Sequence, residues 1–454
     1  MWIISEIQSF YSLPDLLISP FFQPCSKVIS CMQNMNEQLL QFVWQQRYFD
    51  QSDLSTTNNE PVQILHPGIL NTNQGPDFSG ARIRLGNTEW AGNVELHVQT
   101  GDWLKHGHQF DKQYNNVILH VVWEHTELSC PGVPVLELQG RVPVVLKEQF
   151  LQWMNNRLLI PCIQELGQSG IQPSTAWKEK LVRERLQRKV ALIRENLEHL
   201  NGHWEEVFWW QVAGNFGVSV NADAFTEMAR SLPLAMLTRH KQQIQQLEAF
   251  LLGQCGLLND KFTDPYVRLL QKEYRFLRDK YKLRPIRTPV KFLRMRPGNF
   301  PTVRLAQLAM LIHESVHLFS RIKDMEVAGQ VEQLFRVTAN DFWHYHYRLE
   351  QEAAFCKKTL GDSMIRNLLI NTVVPTLFAY GLYVQDNRYV EKSLRWLRET
   401  EKEENSTTRM FQQQGMVTES ARDTQALLEL KSRYCDLKRC LECEIGSKLL
   451  AGKS

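Results

Sequence analysis

The residues best suited to catalytic chemistry lie between Gly75 and Val122. Asp77 follows Pro76, and Glu95 comes eighteen residues later, separated from His97 by one leucine. Carboxylate oxygens are ligands that Mg²⁺ and Mn²⁺ prefer. Such an ion activates a water molecule and stabilises the charge that develops on a phosphate. The pattern therefore predicts a divalent-metal site that cleaves nucleic-acid phosphodiesters.

Two strands joined by a tight turn must position these residues. Apolar residues alternate from Phe78 to Leu85 and again from Trp90 to Val98, which is typical of half-buried strands. Gly86-Asn87 between them suits a hairpin turn. Side chains two apart on a strand share a face, so the glutamate and the histidine should point the same way. The aspartate should lie at the mouth of the neighbouring strand.

The order of these residues is similar to the PD-(D/E)XK pattern of metal-dependent nucleases, whose last position is a lysine. That position is His97 here, which can orient water or bind a metal but carries no fixed positive charge. Glu37, at the start of a helix predicted over residues 36–48, is a third carboxylate that can reach such a site. One alternative is a non-catalytic nucleic-acid- or protein-binding factor with a degenerate nuclease fold. Another is a solvated strand after a common Pro-Asp turn.

Further polar residues crowd the same segment, and four of the thirteen histidines lie between His97 and His120. His120 is flanked by apolar residues of a predicted strand, so a core position is expected for it. His106 and His108 are an alternative metal pair. The second-tier candidates are Asp102, His106, His108, Asp111, Tyr114 and His120. A zinc hydrolase that uses His97, His106, His108 and Asp111 is a third hypothesis.

Composition narrows the class of protein. A chain of 454 residues with 43% hydrophobic residues can bury a large core and should form two or three domains. The net charge of +3 says little about partners, and no run of eighteen apolar residues predicts a membrane span. Nine cysteines without an export signal predict a reducing, cytoplasmic compartment. Residues 1–34 differ from the rest and are expected to be a flexible extension or a start-site artefact.

Periodicity divides the remaining chain into two parts. Residues 35–150 read as helix, three strands, helix and strand, which predicts an α+β or α/β domain with a mixed, nuclease-like sheet. Residues 151–454 show long helical periodicity and are predicted to form a mainly helical domain that ends in a cysteine cluster. Its predicted helices cover 177–200, 236–252, 266–281, 303–318, 328–335, 362–383, 389–399 and 405–414.

A basic tract lies between Lys272 and Arg304, where eleven cations face only Glu273 and Asp279. Aromatic residues are interleaved with the cations, which suits phosphate contact combined with base stacking. The alternative is a solvated basic helix whose aromatic residues belong to the core. The candidate nucleic-acid-binding residues are Lys272, Arg275, Arg278, Lys282, Arg284, Arg287, Arg294 and Arg296.

A helical H-E-x-x-H pattern follows at His313, Glu314 and His317. On a helix this spacing puts two imidazoles on one face, as zinc metalloproteases require, with the glutamate as base. The alternative is an ordinary helix end, because no third ligand stands out downstream.

The carboxyl-terminal region contains Cys435, Cys440 and Cys443. Three cysteines at this spacing are suited to bind zinc or an iron–sulfur cluster. The fourth ligand must come from elsewhere, and Cys162 after Ile160-Pro161 is the candidate. The alternative is a set of reduced thiols on a terminal helix.

From Met35 to its end the chain resembles the domain-of-unknown-function 2851 family of uncharacterised bacterial proteins. The resemblance rests on long segments. These are Gly75–Phe78, Trp90–His97, Asp102-Trp103 with His106 and His108, Tyr114, Val117–Val122, Arg296–Pro301, Ile370–Pro375 and the three terminal cysteines. It implies no activity, so the nuclease hypothesis rests on the residues themselves.

Overall fold

The computed structural model describes residues 35–71, 74–126, 132–293, 295–315 and 317–452. The chain divides into two compact units, Met1–Asn156 with Leu450–Ser454 and Arg157–Leu449. The structure is mixed α/β, as the sequence predicts, and 56% of it is helical. The predicted extension over residues 1–34 and the candidate Arg294 lie outside the described residues.

The first unit is built on a six-stranded mixed sheet with the order β1-β3-β4-β5-β6, in which β2 pairs with β3. Strands β1 to β4 pair antiparallel, whereas β4-β5 and β5-β6 are parallel. A parallel pair needs a crossover connection, and residues 100–116 supply it between β4 and β5. The strands are β1 Val62–His66, β2 Ile69–Leu70, β3 Phe78–Leu85, β4 Thr88–Gln99, β5 Val117–Glu124 and β6 Val135–Glu137.

The first helix of this unit forms where the sequence predicts it. Helix α1 covers Glu37–Gln46, and the side chain of Asn36 caps it by accepting a hydrogen bond from the Leu39 amide. Its apolar face packs against β4. The second helix predicted for this unit, which follows β4 over residues 102–115, is divided into short pieces. It contains the short helix α2 at Asp102–Lys105 and 3₁₀ turns at His108–Phe110 and Lys112–Asn116, and α3 follows at Val144–Asn155.

Two glycines allow the sheet to take its shape around the acidic residues. Gly80 has a φ of +66° where the β3-β4 register shifts between Phe78 and Ala81, so the backbone bulges at a position that favours glycine. A Cβ on Gly92 would lie 2.6 Å from the carbonyl oxygen of Asn116. Strand β4 therefore approaches the start of β5 more closely than any other residue type would permit.

The rest of the chain is mainly helical, with one two-stranded ribbon formed by β7 His346–Arg348 and β8 Gln351–Glu352. Among the described residues, no helix combines the length and apolar character needed to cross a membrane. The helices are α4 Ile163–Ser169, α5 Thr175–His199, α6 Trp204–Phe216, α7 Val218–Ser231, α8 Leu234–Arg239, α9 Ile244–Gln254, α10 Pro265–Tyr281, α11 Pro301–Glu314, α12 Leu318–Asp324, α13 Ala328–Leu334, α14 Asp362–Leu368, α15 Val374–Tyr383, α16 Asn387–Glu399, α17 Ser406–Gln413, α18 Ala421–Leu430 and α19 Glu444–Leu450.

Helix α5 is held to α18 by an ion pair whose carboxylate is buried and whose guanidinium is partly exposed. Both terminal nitrogens of Arg188 donate to the carboxylate of Glu429, whose side chain is fully buried. We expect Arg188→Ala to lower the free energy of unfolding by about 3 kcal/mol, because it leaves a buried charge with a weaker partner. Arg185 lies 4.0 Å from Glu429 and remains as this weaker partner, so the loss should not exceed that value.

Arg183→Ala is the matched control for this prediction. Arg183 lies on the same helix, and its ion pair with Glu391 is exposed on both sides. The Arg183→Ala substitution should therefore lower the free energy of unfolding by less than about 1 kcal/mol. Urea unfolding of the three proteins measures both values. Equal losses for the two variants would contradict a structural role for the buried pair.

Candidate metal centre

The two predicted acidic residues lie side by side at the edge shared by β3 and β4. The backbone N–H of Asp77 donates to Oε2 of Glu95 at 2.9 Å. Oδ2 of Asp77 in turn accepts from the backbone N–H of Leu96 at 3.0 Å. Glu95 is only 5% exposed although it carries an ionisable group. The antiparallel pairing of Phe78 with Val94 creates this arrangement, because it places the preceding aspartate opposite the glutamate.

Helix α1 contributes to the same place through two residues one turn apart. Nε2 of Gln41 donates to Oδ1 of Asp77 at 2.8 Å. Glu37 is exposed, and its negative charge acts on both Asp77 and Glu95. Gln41 is a site residue that the sequence analysis missed. The available signal was its position four residues after Glu37, which puts both on one helix face.

Three histidines gather beside Glu95. Nε2 of His97 lies 3.1 Å from Nδ1 of His106 and 3.3 Å from Nε2 of His108. These three residues offer ligand nitrogens that all lie within 4.8 Å of one another. Oε1 of Glu95 lies 3.3 Å from Nε2 of His108 and 3.7 Å from Nε2 of His97. Three nitrogens therefore form a compact group, and one carboxylate oxygen lies beside two of them.

The spacing of these nitrogens fits a single transition-metal ion. A zinc ion with Zn–N bonds of about 2.0–2.1 Å and tetrahedral geometry holds its nitrogen ligands about 3.3 Å apart. Nδ1 of His97 lies 2.9 Å from Nε2 of His120 on the neighbouring strand. If Nδ1 of His97 carries the proton and donates it to His120, Nε2 of His97 is left with a lone pair that faces His106 and His108. A second hydrogen-bond partner that fixes the tautomer is usual for metal-binding histidines.

Burial sets the protonation states of this cluster. Burial raises the pKa of Asp77 to about 6, and the charge of Glu37 adds to the shift. Burial and then the charges of Asp77 and Glu37 raise the pKa of Glu95 to about 8. Burial and the neighbouring imidazoles lower the pKa of His97 to about 3. At neutral pH the imidazole is therefore uncharged, and a cation is the species that would stabilise the ionised carboxylates.

Aromatic side chains line the histidine cluster. The Trp103 ring, only 2% exposed, lies 5.0 Å from the His120 ring and 5.5 Å from the His108 ring. Tyr114 stacks on His108 with 3.9 Å between ring centroids. Burial and then the charge of Glu95 raise the pKa of Tyr114 to about 12, so the phenol keeps its proton. These ring contacts restrict the rotamers of His108 and His120.

The remaining candidates of this segment have local roles. Asp102 accepts from the backbone N–H of Gln99 and pairs with Lys105. Asp111 caps the second 3₁₀ turn by accepting from the Gln113 amide. Neither belongs to the histidine group of the described chain. His120 is fully buried, as predicted for a core histidine, and it also supports His97.

The H-E-x-x-H pattern does not have the geometry that its spacing predicts. Helix α11 ends at Glu314, and Ser315 is extended with a φ of −140°. His317 has a φ of +56° and precedes the next helix. Nδ1 of His313 contacts the carbonyl oxygen of Lys241 at 2.6 Å. The two histidines are therefore not on one helix face, and the predicted zinc pair is wrong for this reason.

The cations of the basic tract are exposed, whereas its aromatic residues differ in their exposure. The described candidate cations Lys272, Arg275, Arg278, Lys282, Arg284, Arg287 and Arg296 are all exposed. Tyr274 is buried, and the Phe292 and Phe300 rings pack against each other at 5.5 Å. Phe276, at 56% exposure, is the aromatic residue that faces solvent. The cations thus lie at the surface, whereas the aromatic residues between them range from buried to exposed.

The cysteines differ from the histidines in their spacing. Cys162, Cys440 and Cys443 are buried, and Cys435 is half-buried. Within the described chain, three ligand atoms come within 4.8 Å of one another at the histidine group and not at the cysteines. The compact thiolate site that the C-x₄-C-x₂-C spacing predicts is therefore not formed by the side chains as they stand.

The first unit is thus an α/β unit with a histidine and carboxylate cluster in which Glu95 and His97 are buried and His106 is exposed. The chain belongs to the family described as protein of unknown function (DUF2851), which matches residues 37–406. The match includes the whole cluster and the basic tract, and it ends before Cys435. No curated protein and no solved structure matches the chain. The family description specifies no activity, so function must be argued from the site.

Proposed function

We propose that this protein is a divalent-metal-dependent hydrolase that cleaves phosphodiester bonds in nucleic acid. The observation that supports this proposal is the convergence of His97, His106 and His108 at spacings that suit one ion, with Oε1 of Glu95 beside His97 and His108. Imidazole nitrogens suit zinc and iron, whereas carboxylate oxygens suit magnesium and manganese. The carboxylates alone predict Mg²⁺ or Mn²⁺, and a site that also contains imidazoles is expected to bind Mn²⁺ or Zn²⁺ instead of Mg²⁺.

The roles of the residues follow from their contacts. The three histidines are neutral ligands, and Oε1 of Glu95 either completes the ligand set or accepts the proton of a metal-bound water. Asp77 holds Glu95 through its backbone N–H and is itself held by Gln41 and the Leu96 amide. A bound ion lowers the pKa of its water and stabilises negative charge on a phosphoryl oxygen.

Two features favour a phosphodiester substrate. The order Asp77, Glu95, His97 on adjacent strands is similar to the nuclease pattern, with the histidine serving as a metal ligand where the lysine would stand. The exposed cations between Lys272 and Arg296 offer sequence-independent contacts to phosphates. The alternative, a non-catalytic binding factor with a degenerate nuclease fold, shares the second feature but needs no ion.

The test is cleavage by the full chain after EDTA treatment and dialysis. Mn²⁺ or Zn²⁺ should bind with a stoichiometry of about one per chain by calorimetry and restore cleavage of single- or double-stranded DNA or RNA. Excess EDTA should abolish cleavage again. Nucleic-acid binding that persists in EDTA, with no cleavage under any divalent ion, would instead establish the binding factor.

Asp77→Ala distinguishes the proposed cleavage from a contaminating nuclease. The variant should stay folded and lose cleavage, because it removes the carboxylate that accepts from Gln41 and from the Leu96 amide and so holds the Asp77 backbone N–H in place for Glu95. Glu89→Gln is the matched control. Glu89 is an exposed carboxylate on β4, the strand that carries Glu95, and it pairs with Arg84. Cleavage that is unchanged in a folded Asp77→Ala protein would refute the proposal.

A further inference from the structure

A recess of about 510 Å³ lies between helix α10 and the loop that leads into it from α9. One wall is formed by residues 258–262 of the loop, and the other is the helix face that carries Arg268, Arg275 and Arg278. These three positions are seven and then three residues apart, so their side chains share one face of the helix. The recess belongs to the unit Arg157–Leu449, whereas the histidine cluster belongs to the first unit.

The loop is fastened to the helix by one side chain. Nε2 of Gln271 donates to the carbonyl oxygens of Leu258 and Asp260, each at 2.8 Å. Tyr274 also lines the recess, and its buried hydroxyl donates to the side chain of Gln254 at 2.8 Å. Both walls of the recess are therefore held in place by contacts within the protein.

Positive charge dominates the lining of this recess. Its exposed cations are Lys261, Arg268, Arg275 and Arg278, and Asp260 is the acidic residue among the lining residues. Arg278 pairs with Asp279 at 3.5 Å, whereas in the described chain no carboxylate oxygen lies within 4.0 Å of the charged nitrogens of the other three cations. Cations gathered on a concave surface raise the local concentration of anions. The recess therefore suits a ligand that carries several negative charges.

Phe262 adds an aromatic surface to the same recess. It lines the recess next to Lys261 and is half-buried. Sites for single-stranded nucleic acid combine a positively charged groove that follows the backbone with aromatic rings on which bases stack. Unpaired bases are open to such stacking, whereas the bases of a duplex stack on one another. The aromatic ring beside the cations therefore favours an unpaired strand over a duplex.

We propose that this recess binds single-stranded nucleic acid, with its four cations on backbone phosphates and Phe262 against a base. The assignment rests on the proposed hydrolase and deepens it by naming the form of the substrate and the surface that binds it. It divides the basic tract, because Arg275 lines the recess and Lys272 is not among the lining residues. It also adds Lys261 and Arg268, which precede that tract in the sequence.

The experiment measures how tightly the full chain binds a fluorescent single-stranded DNA oligonucleotide in EDTA, where metal-dependent cleavage cannot occur. The double variant Arg268→Gln/Arg275→Gln removes two phosphate contacts. Each contact to a single strand contributes about −0.7 to the slope of log affinity against log salt concentration, so the slope should become shallower by about 1.4. At about 0.1 M salt the affinity should fall roughly 25-fold. Phe262→Ala should lower the affinity by at least about fivefold, because the stacked base loses its partner.

Lys272→Gln/Lys280→Gln is the matched control, because it removes two exposed cations of the same helix that are not among the lining residues. It should leave the salt slope unchanged, and circular dichroism shows whether each variant is folded. A duplex of the same sequence should bind the unaltered chain more weakly, and polyglutamate of equal charge should not displace the oligonucleotide. Equal losses in the two double variants, an unchanged slope in the folded recess variant, tighter binding of the duplex, or displacement by polyglutamate would overturn the proposal.

The absence of metal separates this result from the proposed hydrolysis. Weaker binding by the recess variant supports the recess even if the unaltered chain cleaves nothing under any divalent ion, and in that case only the hydrolase is refuted. Cleavage by the unaltered chain in Mn²⁺ or Zn²⁺, together with full binding by the recess variant in EDTA, would refute the recess alone.

Discussion

Replacement of His97 by alanine should weaken Mn²⁺ or Zn²⁺ binding by more than about 100-fold. Loss of an outer hydrogen-bond partner of a metal ligand already costs about 10–100-fold in affinity, and His97 is placed to be a ligand itself. Its Nε2 lies within 3.3 Å of the ligand nitrogens of both His106 and His108. Calorimetry of the EDTA-treated chain gives the affinity, and circular dichroism shows whether the variant is folded.

Substitutions of two other histidines should reduce the metal affinity less, so the three variants should form a graded series. His120→Ala removes the partner of His97 Nδ1 without removing a member of the three-histidine group, so it should cost about 10–100-fold. His66→Ala removes an exposed histidine of the same sheet and should change nothing. Equal affinity in all four folded proteins would place the ion elsewhere or nowhere.

The stability of the second unit should fall as the pH rises from about 4.5 to about 7. Glu248 is fully buried, and its carboxyl oxygens accept from the Tyr266 hydroxyl at 2.8 Å and from the Trp343 indole N–H at 3.0 Å. Burial raises the pKa of Glu248 to about 7 despite these two hydrogen bonds. Between the two pKa values the folded state therefore holds a proton that the unfolded state has released.

The sign and size of this effect follow from proton linkage. The stability that protonated Glu248 contributes is fully present below the unfolded pKa, and it is lost as the pH rises through the folded pKa. It amounts to about 3 kcal/mol. Glu248→Gln has no such proton, so its free energy of unfolding should lose about that much pH dependence. Urea unfolding at pH 5 and pH 8, followed by tryptophan fluorescence, measures the difference between the two proteins.

Glu350→Gln controls for the loss of a carboxylate as such, because Glu350 is exposed in the turn between β7 and β8. Its pH dependence should match that of the unaltered chain. If Glu248→Gln retained the full pH dependence, the buried carboxyl would not be its source.

Local periodicity was enough to locate β3 and β4, the two strands that position the acidic residues. The alternation around Ala81 and Ile83 predicted β3 to the residue, and Gly86-Asn87 predicted the hairpin that joins it to β4. A period of two also placed Glu95 and His97 on one face. These features depend on neighbours in sequence, so the sequence alone determined them. Helix α1 was determined in the same way, by its apolar stripe and the Asn36 cap.

Tertiary structure decided which polar residues meet. The short turns after β4 bring His106 and His108 back onto His97, although neither histidine shows a periodic signal. The contact of Gln41 with Asp77 joins a helix to a strand thirty-six residues away. Such pairs depend on sheet register and helix packing, which a single sequence encodes only through the whole core.

The two motifs of the second unit show the same division. The H-E-x-x-H letters require a continuous helix, but packing ends α11 at Glu314 and turns the backbone before His317. The cysteine spacing near the carboxyl terminus is local and was visible in the sequence. The contact between Ser174 and Glu444, which are 270 residues apart, is set by the fold instead. Sequence therefore determined the ligand types, and long-range packing decided which of them share a site.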